Sequence, residues 1–179
     1  QHVVPSVFAQ DDYTFSPALA VSISARLDRH NQFGTFLSPR LSALVKPAPG
    51  WTIRMSGGTG YFAPTPLTDE TDAVGLTRMV SGLPTTAERA RSYSLDVNRV
   101  FGGLELNATV FGSRVTGALA VQPVSAATYA LVTRPGPTTT IGAEALAKMH
   151  VQDFSIVATY TLTRSTEMDP ATATRNDVP

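Results

Sequence analysis

The chain of 179 residues has no cysteine, and its 14 Lys plus Arg are matched by 14 Asp plus Glu. Without thiols there is no disulfide framework, no thiolate metal site and no cysteine nucleophile. Without a net charge there is no field of one sign to draw the chain to nucleic acid, so no nucleic-acid partner is expected. No apolar run approaches the roughly 18 residues that a membrane-crossing helix needs, which leaves strands as the only route across a bilayer. The opening at Gln1 shows no Met, no basic segment and no apolar leader core. A signal peptide is therefore expected to be removed or to lie upstream in a longer precursor.

What the chain does contain is apolar residue in period two. With 42% hydrophobic residues it must cover apolar surface somewhere, and 13 Gly and 13 Pro divide it into short segments. Between Leu19 and Asp28, Leu19, Val21, Ile23, Ala25 and Leu27 share one side while Ser22, Ser24, Arg26 and Asp28 share the other. The alternation returns around Leu41–Val45, Trp51–Met55, Tyr93–Val97, Leu104–Val110 and Phe154–Leu162. A weaker instance runs from Ile141 to Met149, where Ala143, Ala145 and Ala147 would also suit a helix. The spacing predicts about eight strands, at 3–12, 18–28, 36–46, 51–60, 91–100, 104–116, 138–149 and 153–164, most near the ~9–11 residues of a membrane strand. Their connections alternate between short (13–17, 47–50, 101–103, 150–152) and longer (29–35, 61–90, 117–137). That rhythm is the layout of an outer-membrane barrel with turns on one side and loops on the other. Tyr13, Phe15, Trp51, Phe101 and Phe154 fall beside the short turns, and Phe33, Phe36, Tyr61, Phe62 and Tyr93 beside the long loops, as two interfacial girdles would require. Phe111 is an exception, on the polar parity.

Four blocks resemble, in order, the C-terminal barrel domain of TonB-dependent outer-membrane receptors: VPSVFAQDDYTFSPALAVSISARLDRH (4–30), GTFLSPRLSALVKPAPGWTIRMSGGTGYFAPTPL (34–67), AERARSYSLDVNR (87–99) and TYTLTRSTEMDP (159–170). The most specific stretch runs from Pro39-Arg40 through the Pro49-Gly50 turn and Arg54 to Gly60-Tyr61-Phe62-Ala63-Pro64, which is similar to the family's strand–turn–strand leading into a long extracellular loop. The resemblance implies an all-β, antiparallel up-and-down meander within a barrel of about 22 strands closed by an N-terminal plug. The chain shows neither plug nor energy-coupling box, ends at Asp177-Val178-Pro179 like the start of a further strand, and lacks the terminal aromatic of a finished barrel. It is accordingly expected to be an internal fragment, with residues 1–179 a partial barrel domain. The same resemblance implies uptake of a scarce ligand (a siderophore, vitamin or carbohydrate) across the bacterial outer membrane, with lipid, a plug in the same full-length chain and the TonB system as partners. No cofactor is implied.

Chemistry has little to rest on. Ser-Gly-Gly-Thr-Gly (56–60) lacks the Lys-Ser/Thr and the helix of a phosphate loop. His2, His30 and His150 lack ligand spacing, and Asp69, Glu70 and Asp72 do not match an EF-hand. Thr85 and Glu88 have capping-box spacing, which predicts a short helix. No nucleophile stands with a base, so the chain reads as neither a catalyst nor a metal site. Arg26, Asp28, Arg40, Arg54, Asp96, Glu105, Glu144 and Lys148 fall on the polar side, facing a lumen and forming ion-pair ladders across strands. Tyr61, Phe62, Asp69 and Glu70 are the loop residues expected to meet ligand. Two alternatives stay open: a complete eight-stranded barrel with a structural or adhesion role, and a soluble lipocalin-like or sandwich binding protein.

Overall fold

The computed structural model describes residues 3–64, 79–81, 86–125 and 128–178. Its strands are β1 (Ser6–Ser16), β2 (Leu19–His30), β3 (Gly34–Val45), β4 (Trp51–Phe62), β5 (Met79–Ser81), β6 (Glu88–Phe101), β7 (Leu104–Thr116), β8 (Leu119–Pro123), β9 (Thr128–Thr133), β10 (Thr138–Val151), β11 (Phe154–Met168) and β12 (Arg175–Val178). Nine of them form one antiparallel sheet in the order β1-β2-β3-β4-β6-β7-β10-β11-β12, so every strand lies beside its successor once β5, β8 and β9 are set aside. Those three make a small separate sheet, with β9 between an antiparallel β8 and a parallel β5.

Register turns the alternation of each strand into two surfaces. One row, Tyr13–Val21–Ala43–Met55–Leu95–Val110–Ala143–Leu162, crosses eight strands on one face without a polar residue. The next row, on the other face, includes Arg54, Asp96, Thr109, Glu144 and Thr161. Among the described residues nothing covers the apolar face. Val110 is 53% and Leu162 60% exposed, and among the described residues only Phe36, Leu119 and Ala120 are buried hydrophobic residues. A sandwich would lay a second sheet over that face; among the described residues the only other sheet is the short β5-β9-β8, and the apolar face stays exposed, so the soluble reading loses its core.

The eight long strands match the eight expected, with differences at their ends. The first starts and ends later than 3–12, at Ser6–Ser16, because a bulge between Thr14 and Ser16 keeps the chain paired almost to Leu19 and the turn shrinks to Pro17-Ala18. Residues 141–149 are strand, not helix; β10 is paired on both edges, by β7 and β11, and two full ladders outweigh alanine's helix preference. The long connections are not plain loops, since they carry β5, β8 and β9. The helix expected near Thr85–Glu88 is a misreading: Glu88 opens β6, its carboxylate accepts the Leu119 amide at 3.1 Å, and Thr85 lies outside the described residues. The closed eight-stranded barrel fails as well. Among the described residues β1 pairs only with β2, while the far edge of β11 is taken by β12, at the point where the sequence reads as a further strand.

The turns at Pro17-Ala18, 46–50, 102–103 and 152–153 gather at one end of the sheet. At Gly50 the backbone has φ +77° and its carbonyl accepts the Val100 amide at 2.8 Å. A side chain there would run into the Val100 carbonyl, so only glycine closes this turn against β6.

Candidate functional site

The candidate site lies at the opposite end, where β2, β3, β4 and β6 run into the long connections. Ser56–Gly60 is no phosphate loop but the thin end of β4, paired with Ala90–Ser94 of β6. It delivers Tyr61, whose ring stacks on Phe36 with centroids 3.8 Å apart and planes 8° from parallel. Phe36 and Tyr61 are not direct strand partners: the β3–β4 ladder is continuous only from Arg40–Gly58 to Val45–Ile53, and beyond it the two aromatic rings meet. The Arg89 guanidinium lies 5.2 Å from the Phe36 ring centre.

Beneath this stack Asp28 is 2% exposed and accepts Arg26 Nε at 2.8 Å. His30, also buried, accepts the Gln32 and Phe33 amides on Nδ1 at 3.1 and 3.3 Å and meets the Phe33 ring edge-on. A cleft of about 520 Å³ opens beside the cluster, lined by Arg26, Asp28, His30, Tyr61 and Phe62 among others. Phe62 is exposed and stands opposite Glu88. Chemically the arrangement offers a phenol, an aromatic face and a carboxylate already held by an arginine; it can stack and donate hydrogen bonds, and it presents no activated nucleophile.

Of the residues singled out from sequence, Tyr61 is thus brought to Asp28 and Arg26, and Phe62 lies on the same cleft. Asp69, Glu70 and Asp72 lie outside the described residues, as does His2. Among the described residues no group of His, Asp and Glu is placed to hold a metal ion. Phe36 departs from the girdle: it is opposite Asp28 on the polar face and is buried. Its role could have been read from the parity of Gly34, Phe36 and Ser38 against Asp28. Arg89 and Glu88 were passed over because nothing in their own neighbourhood of sequence names the ring or the amide that they reach.

Register puts Arg26, Asp28, Arg40, Arg54, Asp96, Glu105, Glu144 and Lys148 on one face, with Arg54 opposite Asp96 and Lys148 opposite Glu105. The ladder is nevertheless not built from ion pairs across strands. Asn107 and the Thr109 hydroxyl donate to Asp96 at 2.8 Å each, and Asn98 donates to Glu105 at 3.0 Å. Among the described residues the only ion pair within this set is Arg26–Asp28, along a single strand. Short amides and hydroxyls reach a carboxylate on the adjoining strand with less loss of side-chain freedom than a long arginine does.

A single layer of long antiparallel strands, polar on one face, bare and apolar on the other, with turns at one end and extended connections at the other, is the wall of a β-barrel of outer-membrane type. A family model described as "TonB dependent receptor-like, beta-barrel" matches residues 4–179, and the chain belongs to that family. Members are outer-membrane receptors and transporters of Gram-negative bacteria, not enzymes. Among solved structures, similar folds include the FrpB iron transporter from Neisseria meningitidis (F3-3 variant), with TM-score 0.76 and 20% identity over 94% of this chain and 26% of that one. The siderophore receptor PirA from Pseudomonas aeruginosa gives 0.73 and 17% over 92% of this chain and 34% of that one. A mutant of the ferric enterobactin receptor PfeA from Pseudomonas aeruginosa, in complex with enterobactin, gives 0.72 and 19% over 91% of this chain and 30% of that one. The chain therefore spans about a quarter to a third of these structures. A search of curated proteins finds no match.

Proposed function

We propose that residues 1–179 are a section of the barrel of a TonB-dependent transporter that takes up a scarce ligand, with iron chelates first among siderophore, vitamin and carbohydrate. The observation that carries this reading is the uninterrupted apolar row exposed across eight strands, backed by a polar face of hydrogen-bonded carboxylates. The apolar face meets outer-membrane lipid, and the polar face, with Arg26, Asp28, Arg40, Arg54, Asp96, Glu105, Glu144 and Lys148, lines a lumen. That lumen is filled by a plug in the same full-length chain, through which the TonB system acts. The names of the similar solved structures, an iron transporter, a siderophore receptor and a ferric enterobactin receptor, favour the iron-chelate class.

Ligand meets the connections beyond β4 first. Tyr61 and Phe62 supply ring faces, and Asp69 and Glu70 supply charge from the connection between β4 and β6. The test is to replace residues 65–86 with a short Gly-Ser turn in the full-length receptor. Ligand binding should be lost while the barrel still assembles; unchanged affinity would remove this connection from the mechanism.

A further inference from the structure

The seams between the long strands are not zipped to equal length. The β2–β3 ladder runs from the Leu19–Val45 pair to the His30–Gly34 pair, and the β4–β6 ladder from Trp51–Arg99 to Phe62–Glu88. Between them the β3–β4 ladder covers only Val45–Ile53 to Arg40–Gly58, although both strands run on, to Gly34 and to Phe62. Beyond the Arg40–Gly58 pair the wall is therefore forked. One lip is residues 34–39, backed by β2, and the other is residues 59–62, backed by β6.

Pro39 explains where the fork begins. A residue in the middle of an antiparallel sheet turns its amide to one neighbouring strand or the other. The β2–β3 ladder passes the Ala25–Pro39 pair without interruption, so the amide that proline lacks is missing on the β4 side, where the register would next bring Thr59. Gly58 lets the last pair close, since a Cβ there would stand 3.1 Å from the Pro39 carbonyl, whereas a Cβ at Gly60 would meet nothing within 4 Å. Two clefts, of about 630 and 520 Å³, both have Ser38, Gly60 and Tyr61 in their lining. The larger also touches Leu37 and Pro39 of the apolar parity, and the smaller Arg26 and Asp28 of the polar parity, so the fork lies between them.

Aromatic contact joins the lips. Continued register would set Phe36 opposite Phe62 and Tyr61 opposite Leu37, yet Phe36 and Tyr61 stack with centroids 3.8 Å apart, one ring from each lip. Arg89, from the β6 side, lies over the Phe36 ring at 5.2 Å. A ring stack has no ladder to unzip, so lips held this way part and meet again while the β2–β3 and β4–β6 ladders stay whole. We infer that the fork is a gate in the wall: its lips part at the loop end when Phe36 and Tyr61 unstack and close when the rings meet, and Pro39 keeps the seam from zipping shut. The inference rests on the reading of Tyr61 as a residue at the ligand's entrance, and it gives that entrance a variable width.

Hydrogen–deuterium exchange of the full-length receptor in bilayers, with no ligand added, tests the gate. In the unmodified receptor the amides of residues 34–38 and 59–62 should exchange about tenfold or more faster than those of 41–45 and 53–57 in the same two strands. F36A and Y61A should each speed the lips by about tenfold again, and Y61F, which keeps the ring, should leave them as they are. P39V, which returns an amide to the seam, should slow the lips to the pace of the zipped segment. Residues 41–45 and 53–57 should not change, which separates opening of the fork from misfolding of the barrel; if a ring variant disturbs them as well, P39V decides. Lips that exchange no faster than the zipped segment overturn the gate, as do lips indifferent to loss of the rings, which would make the fork a fixed gap, or lips indifferent to P39V. Such a failure leaves the transport reading standing, because that reading is tested separately by ligand binding after replacement of residues 65–86.

Discussion

At the scale of single residues, Asp28 carries the strongest local constraint. Its carboxylate is buried while Arg26, its partner, is 59% exposed along the side chain. When the pair is broken the arginine can return to water, but the carboxylate cannot. Arg26→Gln is expected to lower barrel stability by about 1–3 kcal/mol, whereas Asp28→Ala should cost less, because leaving a buried charge without its cation outweighs leaving an exposed arginine without its carboxylate. Urea unfolding of the two variants in bilayers checks the order, and a larger loss for Asp28→Ala would mean that the carboxylate is held by groups other than Arg26. Tyr61 was legible as a position at the mouth of a loop. Its partners were not, since Asp28 and Phe36 lie far from it in sequence and meet it only because the β3–β4 ladder stops at Arg40–Gly58.

At the scale of elements, the long strands were legible because period two survives in each of them, down to the alanines of β10. The short strands β5, β8 and β9 were not, because three to six residues are too few for an alternation to stand out from a loop. β10 also offers the sharpest test of which face meets lipid. Ala145 sits near the middle of the strand on the apolar face, between Ala108 and Tyr160, and Leu146 beside it points the other way, between Asn107 and Thr159. Ala145→Lys should destabilise the inserted barrel by roughly 2–4 kcal/mol, and Leu146→Lys by much less, although it too replaces an apolar residue with a cation. Equal costs, read from the same urea titration, would refute the assignment of faces.

At the scale of the whole molecule the sheet stays open among the described residues, with β1 at one edge and β12 at the other. The absence of cysteine makes this easy to probe, since introduced pairs report without interference from within the segment. In the assembled receptor Ser56→Cys with Ser94→Cys, whose hydroxyls are 2.8 Å apart, should crosslink on oxidation, and Ser6→Cys with Asn176→Cys should not. A crosslink between positions 6 and 176 would restore the small closed barrel. The order of the sheet bears on how such a wall comes into being. Each long strand pairs with the next long strand in the chain, so loop closure is short everywhere except across the connections between β4 and β6 and between β7 and β10. A folding chain can add hairpin to hairpin in the order of synthesis, each new strand finding its template in the one just laid down, and it pays a sizeable closure entropy at only two points. Those two points are joined by the β5–β9 pairing, so the slowest steps of assembly fall in the part of the molecule farthest from the turns.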